Sequence, residues 1–379
     1  SGVVGKFASK IVGKKYLGIP FDKNKHAKNL KLSLGNIKGP LMKVAQLTST
    51  IPDILPPEYV KELSELQSNA PPMGWMFVKR RMVSELGENW NDNFNHFSKE
   101  ASKAASLGQV HKATMKNKKI VACKLQYPDM NSAIKSDLKQ LNIIFSIYQS
   151  YNKAIKTGEI FKEINERLLE ELDYIRESKT MRMYSEIFMN KKYVNIPKVY
   201  NNLSTKRLLT MEWLNGNKLL DFKNKNLQQR NKIAQNMFKT WYYPFYKYGI
   251  IHGDPHLGNY TIAKDLSINL FDFGCMRFFK GKFIEGVIDL YDALSSNNIE
   301  KAVYAYQRWG FKNINKEKLK VLNKWAKFIY APLLENKIQK IQENGSGAYG
   351  AKVASEVHRE LKKLGGVQPP REFVFMDRA

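Results

Sequence analysis

The amino-acid sequence predicts an α+β protein in which a helical preface precedes a strand-rich part and a mostly helical part. Three observations support this prediction. Residues 1–92 carry apolar side chains at helical spacing, residues 94–126 change to the two-residue period of strands, and the chain after Asn215 returns to helical spacing. At ~150 residues per unit, the chain length favours two or three structural units. We place their boundaries at 1–92, 93–214 and 215–379.

Prolines divide the preface into short helices, because each proline cluster marks a turn. Leu41–Thr50 and Glu58–Gln67 are predicted helices, and Pro71 and Pro72 open a third with Trp75, Val78, Met82 and Leu86 on one face. The first 18 residues contain four lysines and no acidic residue. This composition fits a transit-peptide remnant, a membrane-surface helix or a basic helix on a soluble domain, and the sequence leaves the choice open.

The strand-rich part combines short strands with long helices. Its predicted strands are Phe94–Phe97, Gln109–Met115, Ile120–Gln126, Pro197–Asn201 and Arg207–Trp213, and its predicted helices are Asn131–Tyr151 and Phe161–Phe188. A lysine and asparagine turn at Lys116–Lys119 joins two strands as a hairpin.

The last part has a long helix ending near Tyr248, a strand at Ile268–Asp272 and a helix at Phe283–Leu294. The aromatic run Trp241–Tyr246 has helical spacing. That spacing favours a core role over the alternative of a quinone or lipid pocket.

Composition narrows the possible functions. Lys plus Arg minus Asp plus Glu is 62 − 35 = +27, which favours an anionic partner such as phosphates, an anionic membrane surface or nucleic acid, although a lysine-rich composition can also serve solubility. Two cysteines argue against a disulfide framework and for a reducing compartment. No apolar run approaches the ~20 residues that span a bilayer.

The segment from Ile251 to Asn259 carries the clearest chemical signal. Asp254 is followed by Asn259 after four residues and by Asp272-Phe273-Gly274 after a further twelve. In kinases this spacing supplies a carboxylate that orients the attacking hydroxyl, and an Asn and an Asp that hold Mg²⁺ on the nucleotide phosphates. Oxygen ligands suit Mg²⁺ because it is a hard cation. The pattern therefore predicts phosphoryl transfer.

Two upstream features agree with this reading. Lys124 ends the apolar run Val121-Ala122-Cys123, where an unpaired charge would be costly, so it is a candidate phosphate contact. The turn of small residues at Ala104, Ala105 and Ser106 would let backbone N–H groups approach phosphates, although a tight hairpin has the same composition.

With these residues in place, the chain resembles the UbiB-like (ADCK or AarF) family of atypical protein-kinase-like proteins, which is linked to coenzyme Q biosynthesis and lipid metabolism. The resemblance runs from about Leu34 to Phe375. Its motifs are K-x-G-Q at Lys43–Gln46, S-x-G-Q-V-H at Ser106–His111, E-x-D at Glu171–Asp173, H-G-D-x-H-x-G-N at His252–Asn259, and D-F-G at Asp272–Gly274.

The resemblance implies a bilobal protein-kinase-like fold whose N-terminal helical extension packs over the active site. It implies that Lys124 contacts the phosphates of ATP or ADP, that Glu177 is its helical partner, and that Asp254 is the catalytic-loop carboxylate. Asn259 and Asp272 would hold Mg²⁺. The regulatory set would be Lys43 and Gln46 over the site and Glu171 and Asp173 beneath them, and the hinge beside adenine would be Met211, Glu212, Trp213 and Leu214.

Several positions depart from the family pattern. Ala45 replaces the glycine of K-x-G-Q, and Leu257 replaces a proline of the catalytic loop. Lys103 replaces a third alanine before the small-residue turn and adds a positive charge near the phosphates, which is expected to affect nucleotide preference or metal demand. No A-P-E-like segment follows Gly274, which argues against an ordinary Ser/Thr/Tyr kinase.

Two functions follow from these residues and the resemblance. The first is an Mg²⁺-dependent ATPase or atypical kinase at a membrane surface, acting with lipid or quinone-pathway enzymes on a cytoplasmic or organelle-matrix face. The alternative is a nucleotide-gated pseudokinase scaffold that organises other enzymes without phosphoryl transfer. A nucleic-acid partner is not expected, because no binding motif accompanies the dispersed lysines.

Overall fold

A computed structural model describes residues 72–104, 107–136, 138, 139, 142, 157–254, 256–337 and 348–365. Within these residues, mixed helix and sheet follow the predicted α+β order. The predicted helices at 41–50 and 58–67 lie outside the described residues. Of the helix predicted at 131–151, residues 131–136, 138, 139 and 142 are helical, and the rest lie outside the described residues.

A five-stranded antiparallel sheet lies between Phe94 and Glu212. Its strands are β1 (Phe94–Phe97), β2 (Lys103–Ala104), β3 (Gly108–Met115), β4 (Ile120–Gln126) and β6 (Leu208–Glu212), with β1, β3, β4 and β6 in spatial order and β2 paired beside β3. The predicted hairpin is confirmed as β3 and β4, with Thr114 opposite Ile120.

The two faces of this sheet pack on different cores. On β4, Val121, Cys123 and Leu125 pack with helix α1 (Trp75–Leu86) in one hydrophobic cluster. Ala122 belongs to the cluster of the C-terminal helices. This alternation follows from the two-residue period of a strand, and it directs Lys124 to the same face as Ala122.

Two helices replace the single helix predicted at Phe161–Phe188, and that prediction was wrong. Helix α2 (Thr157–Glu171) ends before Leu172, and α3 (Tyr174–Ile187) begins after Asp173. The Asp173 carboxylate accepts hydrogen bonds from the backbone N–H groups of Ile175 and Arg176, each at 3.1 Å. A side-chain acceptor of this kind caps a new helix, so the chain restarts there rather than continuing.

The strand predicted at Pro197–Asn201 was also wrong. The extended pairing falls earlier, in β5 (Val194–Asn195), and Asn201–Leu203 forms a 3-10 turn. Pro197 has no backbone N–H to donate to a ladder. The segment keeps only an isolated bridge between Val199 and Met211.

The C-terminal part is built from helices around two small sheets. Its helices are α4 (Leu227–Tyr248), α5 (Gly281–Ser295), α6 (Ile299–Arg308), α7 (Lys316–Leu334) and α8 (Ala348–Lys363). Its strands are β7 (Ile250–His252), β8 (Tyr260–Ile262), β9 (Ile268–Leu270) and β10 (Met276–Phe278); β7 pairs with β10, and β9 lies between β5 and β8. Among the described residues, no helix is long and apolar enough to cross a membrane.

The aromatic run on α4 divides between core and surface. Trp241 and Phe245 are buried in the large C-terminal cluster, as helical spacing predicts. Tyr242 and Tyr246 lie on the outer side of the helix, and Tyr246 is exposed. The turns between the small strands carry the polar residues of the candidate site.

Candidate active site

The central contact of the site joins three charged side chains from three elements. Lys124 Nζ on β4 donates hydrogen bonds to both carboxylate oxygens of Glu177 on α3, each at 2.9 Å. The same ammonium lies 3.4 Å from Asp272 Oδ1, in the turn after β9. The structure therefore brings together residues that lie 53 and 148 positions apart in the sequence.

Burial and charge act in opposite directions on this lysine. Burial alone would lower the pKa of Lys124, but the carboxylates of Asp272 and Glu177 outweigh it and raise the pKa well above its ordinary value. Glu177 is 2% exposed, so its negative charge is stable there only with a cation beside it. Lys124 is therefore a permanent ammonium group held at the cleft face of the sheet.

Residues of the E-x-D motif and the neighbouring Arg176 hold α3 and the D-F-G turn in position around Lys124. Asp173 caps α3, which places Glu177 one turn inside the helix. Glu171 lies under the D-F-G turn, where Cys275 Sγ donates to Glu171 Oε1 at 3.5 Å. Arg176 donates to the Gly274 carbonyl at 3.2 Å. Lys43 and Gln46, their expected partners, lie outside the described residues.

The catalytic loop follows β7 and is shaped by its histidines. His252 Nδ1 accepts from the Asp254 backbone N–H at 3.2 Å, so the proton lies on Nε2, which donates to the Phe271 carbonyl at 3.2 Å. Burial lowers the pKa of His252, in agreement with a neutral ring. His256 Nδ1 accepts from the Gly258 backbone N–H at 3.0 Å. Both histidines brace the loop through hydrogen bonds with its backbone.

The loop is tied closely to the D-F-G turn. The Phe271 N–H donates to the Asn259 carbonyl at 2.7 Å, and the Gly253 N–H donates to the Cys275 carbonyl at 3.1 Å. A Cβ at Gly253 would lie 2.7 Å from that carbonyl oxygen, so only glycine permits this approach. Asp254 follows β7 and Asp272 follows β9, and these ties hold both carboxylates at one cleft.

Phe273 anchors the D-F-G turn in the core. Its ring is fully buried and packs edge-on against Tyr184 of α3, with the centroids 5.4 Å apart. Asp272 itself has φ 57°, a left-handed conformation that non-glycine residues seldom adopt. This turn directs the Asp272 carboxylate toward Lys124.

The donor set suits Mg²⁺. Asn259 Nδ2 donates to the Asp254 carbonyl at 3.1 Å, which fixes the amide and leaves its oxygen as the atom available to a cation. Asp272 supplies a carboxylate, and oxygen ligands from one or two such groups together with phosphates are what Mg²⁺ prefers. Among the described residues, no group of three or more His, Cys, Asp or Glu side chains could hold a metal ion, so Asn259 and Asp272 would bind Mg²⁺ together with nucleotide phosphates.

The described residues that flank the small-residue turn, Ala104 and Gly108, lie in strands β2 and β3. Ala104 pairs with Gln109 across β2 and β3. A Cβ at Gly108 would lie 2.5 Å from the Leu125 carbonyl oxygen and 2.9 Å from the Tyr174 hydroxyl, so a side chain there would displace β4. Ala105 and Ser106 lie outside the described residues.

Lys103, noted in the sequence only as an added charge, reaches the catalytic loop. Its Nζ donates to the Gly258 carbonyl at 2.5 Å. Partial burial of the ammonium lowers the pKa of Lys103; the carboxylates of Asp272 and Asp254 oppose this effect, and Lys124 adds to it. Its charge therefore acts within the same cleft as these three groups.

The expected hinge, Met211–Leu214, consists of the last two residues of β6 and the two residues after it. The Glu212 backbone N–H donates to the Lys198 carbonyl at 2.8 Å, and the Lys198 N–H donates to the exposed Glu212 carboxylate at 3.3 Å. The Trp213 N–H donates to the Ile120 carbonyl at 3.1 Å, and Lys112 lies over the Trp213 ring at 4.9 Å. Leu214 is half-buried. The segment joins the sheet to the C-terminal helices at one edge of the cleft.

Comparison with known protein families agrees with this geometry. The model of the ABC1 atypical kinase-like domain matches residues 65–306, which is 242 of 379 residues. The chain belongs to the ABC1 atypical kinase-like family. This membership confirms the predicted family and the kinase-like fold class.

Curated relatives extend beyond the region that this ABC1-family chain covers. It is 33% identical to the chloroplastic protein ACTIVITY OF BC1 COMPLEX KINASE 7 of Arabidopsis thaliana over 69% of this chain and 38% of that protein. It is 28% identical to AarF domain-containing protein kinase 1 of Xenopus laevis, over 72% and 54% of the two chains. The chain thus spans 38% and 54% of the lengths of these two relatives.

A solved structure supports the fold of the ABC1-family chain. A Mycobacterium tuberculosis protein, solved in complex with erythromycin, matches 92% of this chain and 94% of its own, with a TM-score of 0.57 and 23% identity. At this identity the likeness concerns the fold alone.

Sequence reasoning on this ABC1-family chain missed the role of Gln109 and His111. The buried Gln109 side chain accepts from the Met73 N–H at 2.7 Å and donates to the Met73 carbonyl at 3.0 Å. It also lies 2.8 Å from His111 Nε2, which must accept, so His111 Nδ1–H donates to the Ser98 carbonyl. Burial lowers the pKa of His111, in agreement with this neutral form. These motif residues attach the segment before α1 to the sheet.

Proposed function

We propose that this chain is an Mg²⁺-dependent, ATP- or ADP-binding atypical kinase or ATPase that acts at a membrane surface and supports ubiquinone biosynthesis or lipid metabolism. The observation that carries the proposal is the Lys124 ammonium held between Glu177 and Asp272. In phosphoryl transfer a protein mainly positions the reacting groups and neutralises the charge of the phosphates. A fixed ammonium group such as that of Lys124 can do both. Membership of the ABC1 family supports the kinase-like part.

Each residue has a defined task in the proposed reaction. Lys124 holds the α- and β-phosphates, with Glu177 fixing its side chain. The Asp254 carboxylate orients the attacking water or hydroxyl and accepts its proton. Asn259 and Asp272 would hold Mg²⁺, which neutralises phosphate charge when it is bound. Glu212, Trp213 and Leu214 border the position expected for adenine.

The short segment after the D-F-G turn supports an acceptor other than a peptide. The turn at Phe273–Cys275 leads directly into β10, and α5 begins at Gly281. A protein kinase places its long activation loop at this point. Residues 276–280 therefore leave little chain with which to bind a peptide, and ordinary Ser/Thr/Tyr kinase activity is not part of the proposal.

An exposed surface on α4 supports the membrane part of the proposal. This aromatic–lysine patch consists of Phe238, Lys239, Tyr242, Tyr243, Tyr246 and Lys247. The Tyr242 ring stacks on both Phe238 and Tyr246, at 4.6 and 6.1 Å between centroids. Aromatic rings beside lysines are the composition that suits the interface of an anionic membrane. We accordingly place the protein peripherally on a cytoplasmic or organelle-matrix face.

Hydrolysis of ATP with Mg²⁺ tests the proposal. Wild type, Asp272→Asn and the surface variant Asp292→Asn are compared with and without anionic vesicles. We expect turnover that rises with anionic but not with neutral vesicles, is lost in Asp272→Asn and is retained in Asp292→Asn. Nucleotide binding without turnover in every condition would favour the scaffold instead. Cellular ubiquinone content with the Asp272→Asn allele then tests the pathway assignment.

A further inference from the structure

Lys103 reaches across the cleft from the sheet to the catalytic loop. Its Nζ donates to the carbonyl of Gly258, a residue 155 positions later in the sequence, at 2.5 Å. Gly258 immediately precedes Asn259, one of the two expected Mg²⁺ ligands. The ammonium therefore lies at the end of the cleft where the terminal phosphate of a nucleotide would meet the catalytic loop.

The register of the sheet relates Lys103 directly to Lys124. Lys103 lies opposite Val110 in the pairing of β2 with β3, and Val110 lies opposite Lys124 in the pairing of β3 with β4. Directly opposite residues in antiparallel strands project to the same face. Lys103 and Lys124 are therefore two strands apart in one row, at a backbone separation of about 10 Å. Two long side chains can meet one polyphosphate across that distance.

The two lysines differ in what neutralises them. Lys124 is bonded to Glu177 and lies close to Asp272. Among the residues that the structure describes, no carboxylate lies within ion-pair distance of Lys103 Nζ, and the hydrogen bond to Gly258 is to a neutral carbonyl. An ammonium whose hydrogen bond is to a neutral carbonyl gains a charge-assisted hydrogen bond when an anionic ligand replaces that carbonyl.

We propose that Lys103 is a second phosphate-binding lysine, which contacts the terminal phosphate of a nucleoside triphosphate and makes the site prefer triphosphate to diphosphate. The inference rests on the proposed nucleotide-binding function and deepens it. In this arrangement Lys124 holds the inner phosphates. The Lys103 ammonium leaves the Gly258 carbonyl and donates its hydrogen bond to an oxygen of the outermost phosphate instead. Its role is to bind and position that phosphate.

A purely structural role for Lys103 makes a different prediction. If Lys103 only latched the sheet to the catalytic loop, its loss would alter the affinity for every adenine nucleotide by the same factor. A phosphate contact changes the affinity for ATP alone. The ratio of the dissociation constants for ADP and ATP therefore separates the two roles.

The experiment measures the affinities of MgATP and MgADP by titration calorimetry for wild type, Lys103→Gln, Lys103→Ala, Lys103→Arg and Lys116→Gln. A hydrogen bond between charged groups corresponds to a factor of about ten or more in affinity. We expect Lys103→Gln and Lys103→Ala to weaken MgATP binding by about tenfold and MgADP binding by no more than about twofold. Lys103→Arg should recover most of the loss. Lys116 is an exposed lysine in the hairpin turn, so Lys116→Gln should match wild type.

The outcomes separate this inference from the function on which it rests. If wild type binds neither nucleotide, both proposals are overturned. If wild type binds MgATP but Lys103→Gln changes the two affinities equally or not at all, only the role of Lys103 is overturned. Thermal melting without nucleotide checks that each variant is folded. Should Lys103→Gln fail to fold, Lys103→Arg and Lys103→Ala still decide the ratio.

Discussion

Replacing Glu177 with glutamine tests whether the Lys124 contact is a true buried ion pair. The substitution keeps the size of the side chain and removes its charge. In the wild-type protein the Glu177 side chain is 2% exposed and the Lys124 side chain is 17% exposed. After the change, Asp272, at 3.4 Å, is the one acidic side chain among the described residues that still pairs with Lys124.

The expected loss of stability follows from this geometry. Breaking a buried ion pair by removing one partner costs about 3–5 kcal/mol, because the remaining charge is left without compensation. Asp272 still compensates Lys124, whose side chain keeps some contact with solvent, so we expect the lower end, about 3 kcal/mol. Since Lys124 then depends on the Asp272 carboxylate, it competes with Mg²⁺ for that group. The Mg²⁺ concentration needed for nucleotide binding should therefore rise.

Urea unfolding measures the stability, and nucleotide binding titrated against Mg²⁺ measures the metal demand. Glu85→Gln is the matched control, because the Glu85 side chain is 6% exposed and pairs with Arg81 and Arg207 at 3.2 and 2.9 Å, away from the cleft. We expect this control to lose stability without changing the Mg²⁺ requirement. The reasoning is refuted if Glu177→Gln unfolds within about 0.5 kcal/mol of wild type, or if both variants change the Mg²⁺ requirement equally.

Two further predictions concern packing and pH. Gly108→Ala would place a Cβ 2.5 Å from the Leu125 carbonyl oxygen, so unfolding experiments should show a loss of about 1–3 kcal/mol, whereas Gly74→Ala, which meets nothing within 4 Å, should be close to neutral. Burial lowers the pKa of His111 in the folded protein. As the pH falls below about 6.5, the unfolded state therefore binds a proton on His111 before the folded state does. The free energy of unfolding then decreases by up to about 1.4 kcal/mol per pH unit. In unfolding measured from pH 7.5 to 5, His111→Gln should reduce that slope, whereas the control His96→Gln, at an exposed histidine, should not. Equal slopes in wild type and both variants would contradict the assignment of a neutral His111.

Short strands bounded by turn residues were predictable from the sequence, and helix boundaries were less so. Phe94–Phe97 has the predicted bounds because turn residues flank its two buried phenylalanines, and Ile120–Gln126 has them because turn residues flank a nearly continuous apolar run. The break before Asp173 was missed because its flanks are all helix formers. Asp173 marks the start of a new helix only because its carboxylate caps that helix, and the same residue in the sequence could equally be a solvated charge. The cap forms only when the chain bends at Leu172.

The candidate site was predictable in its composition but not in its support. The spacing of Asp254, Asn259 and Asp272 identified the residues that the structure brings to one cleft. The supporting role of Gln109 and His111 could not be predicted from the sequence, because their hydrogen-bond partners are backbone atoms of Met73 and Ser98. Every residue has a backbone carbonyl, so the sequence does not show which carbonyl a side chain will bind. A motif residue that binds a backbone group therefore cannot be told from one that binds a ligand.

Charge provides the sharper contrast between sequence and structure. A net charge of +27 favours an anionic partner but assigns it to no surface, since the lysines are spread over the chain. The sheet register is what distinguishes Lys103 from the rest, because it places this lysine in one row with Lys124 on the face of the cleft. A phosphate chain between the two would meet a cation at each end, with Asp272 and Asn259 left to the metal. The position of a charge relative to the strands, more than the total charge, therefore determines which anion the site can select.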